Sequence, residues 1–484
     1  MENNYNSQKL AIAASHFAQN LGGTDLKHYR SPIAGGGDVY LLDRGSVVTA
    51  EDEAMLQALH SRSTGGFLAH LKKLEKADVG KFMEQFYVGY GHGSIGDCGD
   101  LTLFIEDVSM LTAKAIQDWQ LYNGQEASTR YLDFSKQRFI DPTNTREGRD
   151  ILESQREFYM SVLNPIKQSL YGRYPRQRGE SEKLYEKAIN ARSFDIARGF
   201  LPAGSSTNLA WHSSIRQVRE RIPFLMSHPL EEVQNVAIAI DNVARTKFPN
   251  SFSEPSFLDK NGKLDKEAEE KYWSRVEEAQ KYQSLAAKDY YFDESVEDIS
   301  VNVEANREEL EKHKELFEQR PVKSELPKFL WDSARVSAEF NLDFGSFRDV
   351  QRHRAVRQRM PLLTEKVGFG EWYLENLPKD ELGRATDHLG IIEDKVTNLG
   401  VSKEESQYFV PMGYKVANKI SGDLDAMTYL VERRDRSDVH PTLQKVAHVI
   451  GDEMESVLGI PLHRDSDPSR FDVRRGKQDI EEVK

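Results

Sequence analysis

The sequence predicts an α+β protein of two tandem modules with the same internal order, each a mixed sheet with packed helices. Three observations predict it. Runs of strand character stand at Asp38-Val39-Tyr40-Leu41-Leu42 and again at Asp298-Ile299-Ser300-Val301-Asn302-Val303, each followed by helical spacing. Phe200-Leu201-Pro202, His228-Pro229 and the helix pattern Val233-Gln234-Asn235-Val236-Ala237-Ile238-Ala239-Ile240 recur in the same order as Phe409-Val410-Pro411, His440-Pro441 and Leu443-Gln444-Lys445-Val446-Ala447-His448-Val449-Ile450. Between the two sets, 251–288 is charged and poor in branched aliphatics, the composition of a linker with one or two solvated helices. The boundaries that follow are an N-terminal leader at 1–37, a first module at 38–245, a charged linker at 246–288, a second module at 289–460 and a polar C-terminal tail at 461–484.

Along the first module, Met55, Leu56 and Leu59, then Phe67, Leu68, Leu71 and Leu74, recur at helical spacing. Asp78 is placed to cap a further helix through Phe82, Met83 and Phe86. Five glycines between Gly89 and Gly99 mark a turn that something approaches closely. The run from Phe104 to Trp119 reads as a helix, and Tyr131-Leu132-Asp133-Phe134 as a strand.

The chain has 484 residues, 38% hydrophobic and 30% charged, with a net charge of −13. Such acidity opposes general binding to nucleic acid or to an anionic membrane, while leaving room for a local basic pocket. The single cysteine, Cys98, excludes an internal disulfide and a cysteine-based metal cluster. The polar N-terminus and the lack of a long apolar run suggest a cytoplasmic protein without a membrane span.

Four clusters carry candidate chemistry. Glu126, Ser128 and Arg130 in Gln125-Glu126-Ala127-Ser128-Thr129-Arg130-Tyr131 alternate, so an extended backbone presents a hydroxyl and a guanidinium to one phosphate; a polar loop is the bland alternative. Five arginines fall within Arg348–Arg359. If that stretch is helical, Arg348, Arg352 and Arg359 share a face, with Val350 and His353 turned elsewhere. Inside an acidic protein such a helix holds discrete phosphates or pairs with neighbouring carboxylates. Val431-Glu432-Arg433-Arg434-Asp435-Arg436 reads as a solvated turn between two helices. Gly91-His92-Gly93-Ser94 with Asp97 sets a histidine and a hydroxyl in glycine-rich backbone, suited to a flat or anionic ligand.

These residues resemble the motifs of the flavin-dependent thymidylate synthases. The family carries His-x-Ser-x-x-Glu-His, then Arg-His-Arg-x-x-Ser-x-Asn-Glu-x-Ser-x-Arg-Tyr, then Ala-Arg-x-x-Leu-Pro and a late Leu-Arg. In the first module His92-Gly93-Ser94-Ile95-Gly96-Asp97-Cys98 is similar to the first element, with Asp97 and Cys98 in place of Glu and His. Gln125-Glu126-x-Ser128-x-Arg130-Tyr131 is similar to the end of the long motif, and Ala197-Arg198-Gly199-Phe200-Leu201-Pro202 to the next. Asp118-Trp119-Gln120 stands where Arg-His-Arg belongs, and Leu225 near the late Arg. The second module is complementary: Gln351-Arg352-His353-Arg354 keeps Arg-His-Arg, and Arg434 falls 24 residues after Val410, where the late Arg belongs. Arg357, Arg359, Met360, Leu362 and Thr364 fill the rest of the long motif, and Gln407 replaces the Arg before Val410-Pro411.

The resemblance implies two tandem, diverged copies of that family's fold. It implies an FAD-dependent methyltransferase that converts dUMP to dTMP, with methylenetetrahydrofolate as carbon donor and NADPH as reductant. It assigns Glu126, Ser128, Arg130 and Arg198 to dUMP, and His92, Ser94, Arg352, His353 and Arg354 to FAD. Arg434 becomes the catalytic residue against the uracil, with no metal. The family's tetrameric sites imply a homodimer that forms a pseudo-tetramer. Two alternatives stand beside this reading: a flavin enzyme acting on a pyrimidine nucleotide with another donor, and a non-catalytic nucleotide-binding protein.

Overall fold

Leu101, Leu103 and Ile105 are buried to 2%, 0% and 0% exposure, while the residues between them are more open. That period of two belongs to a strand with one covered face. In the computed structural model, which describes residues 28–43, 48–62, 67–128, 134–257, 263–290, 296 and 299–465, the run is indeed a strand. The helix expected from Phe104 to Trp119 is therefore corrected: β structure continues to Ser109 and the helix begins at Met110.

In chain order the first elements are β1 (His28–Pro32), β2 (Asp38–Leu42), α1 (Ala50–Arg62), α2 (Phe67–Leu74), β3 (Asp100–Ser109), α3 (Met110–Gln117) and β4 (Asn123–Glu126). They are followed by α4 (Arg146–Arg173), α5 (Glu182–Ala197), β5 (Ser206–Ser214), α6 (Ile215–Met226), α7 (Glu231–Lys247) and α8 (Lys266–Tyr290). The remainder comprises β6 (Ser300–Ala305), β7 (Ala334–Asp343), α9 (Phe344–Gln351), β8 (Arg357–Arg359), α10 (Lys379–Leu399), β9 (Lys415–Asp423), α11 (Leu424–Arg434) and α12 (Pro441–Leu458). Among the described residues no helix is long and apolar enough to cross a membrane.

Packing divides the chain into two units that cut across its order. The first takes residues within 1–108, 115–127 and 207–289; the second takes 109–114, 128–206 and the chain from 290 onward. The module boundaries read from the sequence thus follow chain order, whereas α4 and α5 pack in the second unit.

The first unit is built on a sheet of order β1-β2-β3-β5-β4. The β1–β2, β2–β3 and β4–β5 pairs are antiparallel. β1 lies in the expected leader, so that segment is ordered at least from His28. The cause is the hairpin: Gly35, Gly36 and Gly37 all hold φ between 87° and 113°, a region that favours glycine. At Gly37 a Cβ would also strike the Glu106 carbonyl. Arg30 closes the hairpin on Asp38 at 2.7 Å. Asp78 caps as expected, accepting from the Lys81 amide at 3.0 Å, but the helix it starts turns π-helical over Met83–Gly89. α8 lies in the expected linker.

The second unit carries a sheet of order β6-β7-β9-β8, antiparallel throughout. Strand for strand this is the order β2-β3-β5-β4 of the first sheet. β3 and β7 have ten residues each, and eight-residue helices, α3 and α9, follow them directly. The expected mixed sheet is corrected here, because each connection lets the neighbouring strand return in the opposite sense.

The two Pro-containing motifs meet in the second unit. Ala203 N donates to Val410 O at 2.9 Å and Met412 N to Leu201 O at 2.8 Å. Gly204 N donates to Tyr408 O at 2.9 Å and Gly413 N to Gly199 O at 2.8 Å. The exchange is reciprocal, so a local two-fold relates Leu201-Pro202-Ala203-Gly204 to Val410-Pro411-Met412-Gly413. A Cβ at Gly204 would lie 2.7 Å from Tyr408 O and 2.8 Å from Ile140 O, so only glycine fits that crossing.

The expected helix through Arg359 is also corrected. α9 ends at Gln351, and Arg357–Arg359 form β8. The Gln358 amide donates to the carbonyls of Val350 at 2.9 Å and His353 at 3.0 Å, satisfying acceptors that a helix end leaves open. Val431–Arg434 are not a solvated turn but the last turn of α11. The expected tail is packed where it begins: Arg464 is tied to Asp435 at 3.0 Å. Residues 466–484 lie outside the described residues, as do 1–27 of the leader and 131–133 of the expected strand.

Candidate active site

α9 and α11 bring Arg434 and His353 together. Asp343, the N-cap of α9, accepts from Ser346 N at 2.9 Å and so starts the helix that carries Asp349. Asp423 starts α11 in the same way through the Ala426 amide. At the far ends, Arg434 Nε donates to His353 Nε2 at 2.8 Å and Nη2 to the Asp349 carbonyl at 2.8 Å. Nη1 stands 3.7 Å from the Asp349 carboxylate, which also lies 3.6 Å from Arg352. Two of the five guanidinium donors are thus engaged, and the fork remains able to bind a planar acceptor. Burial draws the Arg434 guanidinium below its usual value, with Asp349 opposing and Arg352 assisting.

His353 cannot be a cation here. It accepts from Arg434 at Nε2, so its proton sits on Nδ1. Burial first, then the Arg434 charge, pushes its pKa down to about 3. An unfolded chain titrates this group near 6.5. Between those values the unfolded state holds a proton that the folded state lacks, so this group makes stability fall as pH falls from about 6.5 towards 3. Denaturation midpoints at pH 7 and pH 5 are expected to show it: His353→Gln should remove about 2 kcal/mol of the acid-side loss. An unchanged slope in that variant would show that His353 is not buried as a neutral base. Arg352 and Arg354, by contrast, are exposed at the turn after α9.

Arg198 lies in an interior polar network of the second unit. It begins the 3-10 turn after α5, stands 3.6 Å from Asp195 and keeps 7% side-chain exposure. Burial alone would lower its pKa, but Asp195, Tyr373, Asp343 and Asp349 together raise it above the usual value. The Tyr373 hydroxyl donates to Asp343 at 2.6 Å, and burial together with that carboxylate holds its pKa well above the ordinary phenol value. Thr442 donates to the second oxygen of Asp343 at 2.7 Å. Ser128 is half-buried in the same unit, and Arg130 lies outside the described residues.

In the first unit, His92 precedes the short helix Gly93–Gly96 that contains Ser94. Arg216 reaches over this turn, 2.8 Å and 2.5 Å from the two Asp97 oxygens, with its stem 3.1 Å from where a Gly93 Cβ would stand. Cys98 donates to the Ser94 carbonyl at 3.3 Å, and burial with Asp97 beside it raises the thiol pKa. A thiolate nucleophile is therefore disfavoured. Glu126, at the end of β4, accepts from Gln117 at 2.8 Å.

The first unit has its own form of the arginine clamp. Leu225 is buried, as its apolar type requires, but Arg221 stands one turn earlier on α6. Its Nη2 donates to the carbonyls of Ala115 at 3.2 Å and Asp118 at 2.7 Å, and its guanidinium covers the Trp119 ring at 4.9 Å. Ala115 and Trp119 follow β3 by the same steps as Asp349 and His353 follow β7. Sequence reading missed Arg221 because it sought the charge at a fixed spacing, and missed Asp349 because the arginines around it drew the attention. A carboxylate three residues before Arg352 was the available signal.

Residues 47–250 match the family model described as thymidylate synthase complementing protein. Over that region the chain is similar to the thymidylate synthase complementing protein family. It is also similar, at 22% identity over 86% of its length and 93% of the relative's, to a UPF0159 protein of Thermoplasma acidophilum. A UPF0159 protein of Chlamydia muridarum is 23% identical over 76% of this chain and 77% of its own. One of Chlamydia pneumoniae is 23% identical over 76% of each. The family match covers most of the first module, and the alignments to the two Chlamydia proteins span about three quarters of the chain.

Proposed function

We propose that this protein is an FAD-dependent thymidylate synthase-like enzyme that methylates dUMP, built from two diverged copies of one fold and acting as a homodimer. The observation that carries the reading is Arg434: a half-buried guanidinium, oriented by His353 and Asp349, with donors to spare for a pyrimidine carbonyl. A fixed positive charge there stabilises the negative charge that develops on the ring, without a cysteine nucleophile. Ser128 and Arg130 would hold the phosphate, with Arg198 adding its charge from the interior and Glu126 orienting the sugar or base. His92 and Ser94 belong to the flavin side of the proposal.

The residues fit the cofactor in part. Arg352 and Arg354 are exposed cations on one turn, the residue type that takes a diphosphate. His353 does not fit as a charged contact; its place is to aim Arg434. Bound FAD would supply the hydride chemistry between NADPH and the carbon unit from methylenetetrahydrofolate.

The test is dUMP-dependent oxidation of reduced flavin, followed by absorbance. Arg434→Ala is expected to slow it about 10²- to 10³-fold while FAD stays bound, and Arg434→Lys to recover little because the fork is lost. A colourless protein that still binds dUMP would replace the enzyme with a nucleotide-binding protein.

A further inference from the structure

We propose that a hollow beside α11 in the second unit is a separate binding site for a small phosphorylated aromatic ligand, with its phosphate against Lys323 and Arg433 and its ring against Tyr429. The hollow is a shallow depression open to solvent, lined by Arg320, Lys323, Thr428, Tyr429 and Arg433 among others. Its floor is a buried ion pair: Arg320 donates to both oxygens of Glu432, one at 3.3 Å and the other more closely. That pair is neutral, so the sign of the hollow is set at its rim.

The rim carries Lys323, Arg433 and Arg436 against Glu325 and Asp425. Asp425 is occupied by the Leu326 amide at 2.8 Å, and Arg436 is paired with Asp438 at 3.1 Å. Lys323 and Arg433 remain as the cations facing one remaining carboxylate, in a chain whose net charge is −13.

Two features point to a ligand. Thr428 lines the hollow, is 2% exposed, and its hydroxyl has no hydrogen-bond partner among the described residues. Buried hydroxyls are ordinarily satisfied. Lys323 holds φ 70° at the third position of a turn closed by Ser324 N to Pro321 O at 3.1 Å. That position favours glycine or asparagine. A lysine there keeps a charge at the cost of strain, and strain of this kind gathers at ligand sites. Arg320 fastens the turn by donating to the Ser324 carbonyl at 2.8 Å.

The aromatic part follows from Tyr429, which is 51% exposed. Arg433 lies over its ring at 5.2 Å, and the ring of His353 is 5.6 Å away. A ligand ring on Tyr429 would therefore bear on the group that aims Arg434, which makes the site a natural input to the proposed active site.

The experiment is calorimetric titration of the full chain with phenyl phosphate and with inorganic phosphate. Phenyl phosphate is expected to bind several-fold more tightly. Lys323→Gly removes the charge while relaxing the turn, so the variant should be at least as stable as the parent, yet bind both ligands about tenfold more weakly. Tyr429→Ala should keep phosphate binding and lose the preference for the aryl ester. Equal binding by parent and Lys323→Gly would overturn the proposal, as would an aryl preference that survives Tyr429→Ala or an absence of binding at millimolar ligand. None of these readouts needs flavin or dUMP, so failure here is distinct from failure of the thymidylate reading.

Discussion

Asp343→Ala is expected to destabilise the protein by about 4 kcal/mol, read as a shift in the urea midpoint with unchanged slope. Asp343 is 1% exposed and serves three donors: the Ser346 amide, the Tyr373 hydroxyl and the Thr442 hydroxyl. Loss of the cap costs about 1 kcal/mol. Each buried hydroxyl left without its acceptor costs about 1–3 kcal/mol more. The interior Arg198 also loses one of the acids that balance its charge. Asp343→Asn preserves volume and one acceptor oxygen, so it should cost about half as much. Equal losses for both variants would mean that packing, not the carboxylate, matters at this position. Because α9 carries Asp349 and delivers Arg352, the proposed flavin site should also be weakened in the surviving folded fraction of Asp343→Ala.

Glu432→Ala is expected to cost about 3–5 kcal/mol, because it leaves Arg320 charged in the interior. Both residues are 9% exposed. Glu432 additionally accepts from the His463 amide at 2.9 Å, and His463 Nε2 meets the Arg320 carbonyl at 2.8 Å, so the segment after α12 should loosen with it. The informative comparison is the double variant Arg320→Met with Glu432→Leu. Apolar residues of similar volume often replace a buried pair without loss. Thermal unfolding should therefore place the double variant close to the parent and the single variant far below it. A double variant as unstable as Glu432→Ala would mean that the hydrogen bonds of the pair, not its charges, hold the hollow's floor.

The sequence carried β2, β6 and the helices α1, α2, α7 and α12 because they follow from periodicity. It lost β3 because Leu101, Leu103, Ile105 and Val108 run straight into Met110, Leu111 and Ile116: one apolar stretch contains two periods, and the later helical spacing concealed the earlier alternation. It lost the end of α9 for a related reason. Arginine favours a helix, and nothing local announces that Gln358 will cap Val350 from the next strand. Arg434 was legible through a spacing that resembles a known family. Its neutral partner was not, because the burial that strips His353 of its proton is a property of packing. Arg198 was legible by type and not by setting: Asp195 stands three residues before it, but Asp343 and Tyr373 reach it from a distant part of the chain.

The reciprocal hydrogen bonds between Leu201-Pro202-Ala203-Gly204 and Val410-Pro411-Met412-Gly413 have a consequence for how the protein can vary. In an isologous contact between identical chains, each substitution strikes both sides of the axis at once. Here the two sides are separate codons. Gly199→Ala would press a methyl group to within 2.6 Å of the Tyr373 ring, on one side only, while Tyr408, which stands across the axis, is untouched. Damage at the seam is therefore halved, and each side is free to accept a residue that a symmetric contact would reject. The two sides of this seam can therefore differ in sequence, and they do: Gly199 accepts from Gly413 on one side where Tyr408 accepts from Gly204 on the other.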